Sequence, residues 1–151
     1  MSQNSLNLCF FWHMHQPDYR GMDGVMSMPW VFLHGIKDYY EMPWLLSLYK
    51  GVKASFNITA PLIEQLNLYS DPLKNDYFLS LWAKEPKELE EKQRVWLIKT
   101  CKSTQYETMV KPIGHFRILY NKESLSEDEL IDFEVLFILS WCGNYLRLEN
   151  S

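Results

Sequence analysis

The chain has 151 residues, of which 47% are hydrophobic, 15% aromatic and 23% charged, and its formal net charge is -4. This composition predicts one globular domain and excludes a disordered tail, a collagen-like repeat and a disulfide scaffold. The negative charge argues against nucleic-acid binding through a basic surface, and the sequence has no apolar run near the roughly 18 residues that span a bilayer. We therefore expect neither a nucleic acid nor a membrane among its partners.

Two segments near the N-terminus predict β-strands. Residues 7–13 are almost continuously apolar, which is typical of a strand covered on both faces, and residues 51–57 alternate apolar and polar positions. The segment between them predicts a helix over about residues 31–41 and a second helical piece that starts at Pro43, because a proline would break one long helix. This order predicts a parallel, right-handed βαβ unit.

The chain after residue 59 predicts mainly helices. Helical spacing of apolar residues is present over residues 60–69, 76–84 and 86–102. Residues 104–121 are less periodic and are predicted to be mostly loop.

A strong helix-start signal follows. Ser126 and Glu129 have the spacing of a capping box, and Leu125 and Leu130 flank it as a hydrophobic staple. The helix that they start is predicted to run to about Trp141.

The N-terminus and the cysteines indicate the compartment. The first seven residues contain no lysine or arginine, and the apolar stretch that follows is too short for a signal peptide. The three cysteines, Cys9, Cys101 and Cys142, show no CxxC spacing, which favours buried free thiols. We predict a cytoplasmic protein.

The segment WHMHQP, residues 12–17, lies where the first strand should end, and active sites of parallel α/β proteins lie at such strand ends. His13 and His15 are two residues apart, so both side chains point the same way from an extended backbone. The pair is compatible with ordinary packing, with metal ligation or with contacts to a polar substrate.

A metal site would need further ligands. The other two histidines, His34 and His115, fall in a predicted helix and a loop-like stretch. Because the sequence brings no further metal ligand to the histidine pair, we rank a metal-dependent hydrolase below a protein whose histidines contact a polar substrate. We therefore expect no metal and no cofactor.

Aromatic residues crowd the same region: Trp12, Tyr19, Trp30, Tyr39, Tyr40 and Trp44. Aromatic rings can cover the apolar faces of sugar rings, although aromatics at helical spacing more often form core. The sequence has no phosphate loop, no GxGxxG motif and no identifiable pair of catalytic carboxylates.

Three stretches together resemble the start of family-57 glycoside hydrolases: LCFFWHMHQP at residues 8–17, MPWVFLHGIKDYYEMP at residues 28–43 and GVKASFN at residues 51–57. LSEDEL at residues 125–130 and FILSWCG at residues 137–143 resemble the helical insertion of the amylase-like branch. The resemblance covers nearly the whole chain.

The resemblance implies an α/β fold, the N-terminal portion of a (β/α)7 barrel, that is, an incomplete TIM-like barrel with a large helical insertion. Residues 1–58 would form the first βαβ unit and residues 59–143 the insertion. The full-length enzyme would hydrolyse or transfer α-1,4-linked glucans with retention, using a glutamate nucleophile and an aspartate acid/base. Those carboxylates belong to later strands, so we assign no catalytic residue and expect a chain truncated before them.

The resemblance also assigns substrate contact to His15 and His13, with Gln16 in the same segment and Trp30 and Asn57 as further candidates. The expected partners are an α-glucan or maltooligosaccharide and the missing C-terminal part of the barrel. Two alternatives stay open: a non-catalytic sugar-binding or interaction module, and the metal-dependent hydrolase.

Overall fold

A parallel pair of short strands organises the N-terminal part of the computed structural model, which describes residues 6–143 and 145. Strand β1 is Phe11–Met14 and strand β2 is Ser55–Ile58. His13 lies opposite Asn57, and the parallel pairing confirms the prediction. Both strands are shorter than predicted; β2 begins late because the chain after the crossover helix first makes turns, in which Val52 N donates to Tyr49 O at 3.1 Å.

The crossover between the strands is one continuous helical segment. Helix α1 is Trp30–His34, a π turn covers Gly35–Tyr39, and helix α2 is Tyr40–Ser47. The predicted second start at Pro43 is therefore wrong, since Pro43 lies inside α2. The π turn ends at Tyr39, whose carbonyl the proline ring would crowd in a regular helix, and its wider backbone ring makes room there.

Six α-helices follow β2 in the described part of the chain. They are α3 Ala60–Asn67, α4 Pro72–Asn75, α5 Tyr77–Trp82, α6 Glu91–Lys102, α7 Gly114–Tyr120 and α8 Glu127–Trp141. Helix α7 and a π turn at Tyr106–Val110 occupy the stretch that was predicted to be loop. Only two residues of α7, Phe116 and Leu119, are buried, which is too few to give a clear apolar period in the sequence.

The prediction for the last helix is confirmed. Ser126 Oγ accepts from Glu129 N at 3.2 Å, and Glu129 Oε2 accepts from Ser126 N at 3.1 Å, so the capping box is closed in both directions. Leu125 and Leu130 are buried beside it, and α8 ends at Trp141.

The main hydrophobic core lies among the helices rather than under the sheet. Fully buried side chains from five helices meet there, including Leu33, Phe78, Leu97, Phe116 and Phe133. A smaller cluster of Met14, Met26, Val31 and Leu62 joins the end of β1 to α1 and α3. The mixed α/β class is confirmed, whereas the (β/α)7 barrel stays a prediction, since the described residues contribute two strands.

The sheet is more open than predicted. Phe11 is 65% exposed and Trp12 is 49% exposed, so the expectation of a strand covered on both faces is wrong. Helix α2 covers the Trp12 face incompletely and leaves an apolar groove of about 340 Å³, whose walls include Trp12, Phe56 and Leu46. The described residues thus leave both faces of β1 partly open.

The three cysteines lie in different environments. Cys101 is buried, Cys142 is half-buried and Cys9 is exposed, so the expectation of burial is correct for Cys101 and wrong for Cys9. Within residues 6–143 and 145, none of the helices has the length and apolar character required to cross a membrane.

Candidate functional site

The C-terminal ends of the two strands carry one polar face of the sheet. Because side chains alternate along a strand, the paired residues His13 and Asn57 share this face, and Trp12 and Phe56 share the other. The pairing continues past the strands, where Thr59 N donates to Met14 O at 3.2 Å. This extension brings His15 opposite Thr59.

Each histidine is held by the partner opposite it. His13 Nδ1 lies 2.9 Å from Asn57 Oδ1, and His15 Nδ1 lies 3.3 Å from Thr59 Oγ1. The two imidazole rings stack with centroids 6.0 Å apart and planes inclined by 15°. Because a carbonyl oxygen only accepts, His13 Nδ1 is the donor, and Nε2 of the neutral ring is left as an acceptor for a ligand hydroxyl.

Gln16 belongs to a network of tyrosines. Its Nε2 donates to Tyr39 OH at 2.9 Å, and its Oε1 accepts from Tyr19 OH at 3.1 Å. Burial raises the pKa of both phenols, so both remain neutral and able to donate at physiological pH. Both amide atoms of Gln16 are therefore engaged, and the network fixes the chain directly after the histidines.

Gln65 of α3 holds the segment after the histidines through hydrogen bonds to the backbone. Its Oε1 accepts from Tyr19 N at 2.9 Å, and its Nε2 donates to Pro17 O at 3.1 Å and to Pro61 O at 3.2 Å. The side chain is fully buried. A buried amide with three backbone hydrogen bonds ties the segment after β1 to the helix after β2, and so it positions the histidine pair.

Replacing Gln65 with leucine is expected to lower the free energy of unfolding by about 1–3 kcal/mol, because Tyr19 N–H and Pro17 C=O lose their hydrogen bonds to this buried side chain. Urea denaturation followed by circular dichroism measures the change. The matched control is Gln105→Leu at an exposed position, which should change stability by less than about 0.5 kcal/mol. Equal effects of the two substitutions would contradict the anchoring role.

Asp18, the carboxylate nearest to the histidine pair in the sequence, forms an ion pair with Arg20. Arg20 Nη2 lies 2.6 Å from Asp18 Oδ2 and 3.2 Å from Glu64 Oε2. The hydrogen bonds from Arg20 lower the pKa of Asp18 to about 2. Asp18 is therefore ionised and paired, unlike a general acid, whose pKa has to be raised.

Trp30 lies in the helical core. Its indole packs against Trp141 of α8 with ring centroids 6.0 Å apart. His34 meets the same Trp141 edge-on at 5.3 Å, and its Nδ1 lies 2.5 Å from Asp38 Oδ2. Of the five predicted site residues, the structure thus brings His13, His15 and Asn57 together, with Gln16 next in the chain, and it packs Trp30 among the helices.

Sequence reasoning missed Thr59 and Gln65. The position of Thr59 could have been predicted. It follows Asn57 by two residues, as His15 follows His13, so the alternation of side chains along both strands places it on the same face as the histidines. Gln65 gives no such signal, since a single polar residue within an amphipathic helix pattern normally indicates an exposed position.

A metal centre has no ligand set in the part of the chain that the structure describes. No group of three or more histidine, cysteine, aspartate or glutamate side chains lies close enough there to hold an ion. The remaining histidines form separate pairs, His34 with Asp38 and His115 with Asp132, the latter at 3.1 Å. The metal-dependent hydrolase thus finds no support in the described geometry.

Comparison with known proteins gives one match. A family model described as glycosyl hydrolase family 57 matches residues 9–150, which is nearly the whole chain. No curated protein and no solved structure matched the chain significantly.

Proposed function

The chain belongs to glycosyl hydrolase family 57, and from that premise we propose that the histidine pair holds one glucose unit of an α-glucan. The family implies a carbohydrate substrate. The observation that carries the proposal is the exposed polar face at the strand ends, where His13 pairs with Asn57 and His15 with Thr59. Parallel α/β enzymes form their sites at these strand ends.

The chemistry of these side chains suits sugar hydroxyls. Nε2 of neutral His13 accepts from one hydroxyl, and Nδ2 of Asn57 donates to a second. Because Nδ1 of each ring is held by the neighbouring strand, the rings are oriented before a ligand arrives, which lowers the entropy cost of binding. The pair is therefore suited to binding and orienting a sugar.

Bond cleavage needs groups that the histidine pair does not provide. A retaining glycosidase uses two carboxyl groups about 5–5.5 Å apart. Two carboxylates near the pair in sequence, Asp18 and Asp38, are engaged with Arg20 and His34. We propose that this chain contributes substrate binding to retaining cleavage or transfer of α-1,4-linked glucans, and that the nucleophile and the acid/base stand on further strands.

We further propose that β1, the crossover helices and β2 are the first βαβ unit of a (β/α)7 barrel, with residues 59–143 as its helical insertion. Helix α2 lies on the Trp12 and Phe56 face of the sheet, and the histidines lie on the opposite face, as outer helices and barrel interior require. The exposure of Phe11 on the histidine face also supports further strands as its neighbours.

The test is calorimetric titration of the purified chain with maltotriose. His15→Ala is expected to weaken binding at least about tenfold, equal to about 1.4 kcal/mol, because it removes a ring oriented towards the sugar. His115→Ala is the matched control, since His115 is exposed and paired with Asp132, and it should bind like the wild type. Absence of maltotriose binding would contradict the proposal, and equal binding of cellotriose would refute the preference for α-linked glucose.

A further inference from the structure

A buried carboxyl group lines a small pocket in the helical part of the protein. Glu134 of α8 is 6% exposed, and its Oε1 has no hydrogen-bond partner among the described residues. The pocket has a volume of about 220 Å³ and lies between α8 and the turn after α5. Its lining includes Trp82, Lys84, Glu85, Ile131, Glu134 and Val135. We call it the Glu134 pocket.

The carboxyl group is mostly protonated at neutral pH. Burial raises the pKa of Glu134 to about 8, and the positive charge of Arg94 on α6 opposes this shift without reversing it. Arg94 itself donates to the carbonyls of Leu125 and Ser126. A protonated carboxyl group offers one donor and one acceptor, so Glu134 can exchange hydrogen bonds with an uncharged ligand.

The walls of the pocket combine apolar and polar surface. Trp82 is 39% exposed, so part of its indole is accessible in the pocket, and Ile131 and Val135 of α8 are exposed beside it. A sugar ring has apolar C–H faces that pack on an indole and hydroxyls that hydrogen-bond a carboxyl group. The volume is below the roughly 300–1,000 Å³ of drug-sized sites, which suits a ligand of one small ring.

The charges around the pocket disfavour a cationic ligand. Lys84 lines the pocket, and the positive charge of Arg94 on α6 lowers the pKa of Glu134 through the electrostatic interaction between them. Glu85 supplies one negative charge, and Cys101 of α6, whose pKa burial raises, is an uncharged thiol. An ammonium ligand would meet two positive groups and would have to force a buried acid to ionise.

We propose that the Glu134 pocket binds one neutral sugar unit, with Trp82 packing against the ring and Glu134 hydrogen-bonding a hydroxyl. This second carbohydrate site lies in the helical part of the protein, and it is additional to the site proposed at the histidine pair. It would let one glucan chain or two separate chains contact the protein at two places.

Nuclear magnetic resonance of the full chain tests the proposal through the indole N–H signal of Trp82. Millimolar maltotriose should shift this signal. Binding to the Trp82→Ala variant is measured instead by saturation transfer to the sugar, in the His13→Ala/His15→Ala background, and this substitution should abolish it. Glu134→Leu should fold, since it replaces an unpaired buried acid by an apolar group, but should bind at least about tenfold more weakly. Glu134→Gln keeps a donor and an acceptor and should bind within about threefold of the wild type.

Other outcomes would overturn the proposal. An unshifted Trp82 signal at millimolar maltotriose excludes the sugar, and a shift with methylammonium alone identifies a cation site instead. Binding unchanged in Glu134→Leu removes the carboxyl group from the site. The double histidine variant separates the two sites, because it should lose the binding that His15→Ala weakens while the Trp82 signal still responds to maltotriose.

Discussion

Replacing Phe133 with alanine is expected to lower the free energy of unfolding by about 3–5 kcal/mol. Phe133 of α8 is fully buried, and its ring lies 5.3 Å from that of Phe116 on α7. The substitution removes the burial of a large aromatic side chain and leaves a cavity between two helices that cannot close completely. Of the single substitutions considered, it should reduce stability most through packing alone.

Urea denaturation followed by circular dichroism measures this loss, and Ile131→Ala on the same helix is the control. Ile131 is 44% exposed, so its truncation should cost less than about 1 kcal/mol. If Phe133→Ala leaves too little folded protein, Phe133→Leu retains part of the buried surface and should lie between the two. A loss for Phe133→Ala no greater than that for Ile131→Ala would refute the helical core as described.

Glu134→Gln is expected to remove a pH dependence from the stability of the protein. The pKa of Glu134 is about 8 in the folded protein and near 4.5 in the unfolded chain. Between these values the unfolded chain releases the proton and the folded protein retains it, so the free energy of unfolding falls as the pH rises. Full linkage gives about 1.4 kcal/mol per pH unit, or a few kcal/mol across the window.

The measurement is urea denaturation of the wild type and of Glu134→Gln at several pH values between 5 and about 8.5. The difference between the two isolates Glu134 from other groups with shifted pKa values, such as Asp76 and Cys101. Glu127→Gln, at an exposed position of the same helix, should keep the wild-type slope. Parallel curves for wild type and Glu134→Gln would show that the carboxyl group is ionised in the folded protein.

The sequence reasoning worked best where a signal is local. The capping box of Ser126 and Glu129 specifies its own hydrogen bonds, so the start of α8 was predictable to the residue. The parallel pairing of β1 and β2 could be predicted from the order strand, helix, strand, because a helical crossover returns the chain in the same direction. The polar face around His13 followed from alternation along a strand, which depends only on backbone geometry.

Features that depend on tertiary contacts were not predictable in this way. Pro43 lies within a helix because a π turn precedes it, and nothing in the local pattern indicates that turn. Gln65 and Glu134 are buried polar residues, whereas polar residues in helix patterns are normally exposed. Trp30 was ambiguous between core and sugar site because an aromatic residue suits both surroundings.

The apolar groove beside Trp12 and Phe56 has a practical consequence for the choice of method by which the stability of these variants is measured. Fluorescent dyes used in thermal-shift assays respond to apolar surface, and they normally report it only after a protein has unfolded. A groove of about 340 Å³ offers such surface in the native state, so a dye bound there gives a high initial signal that resembles partial unfolding. Circular dichroism follows the helices directly and is the better readout for ranking the variants.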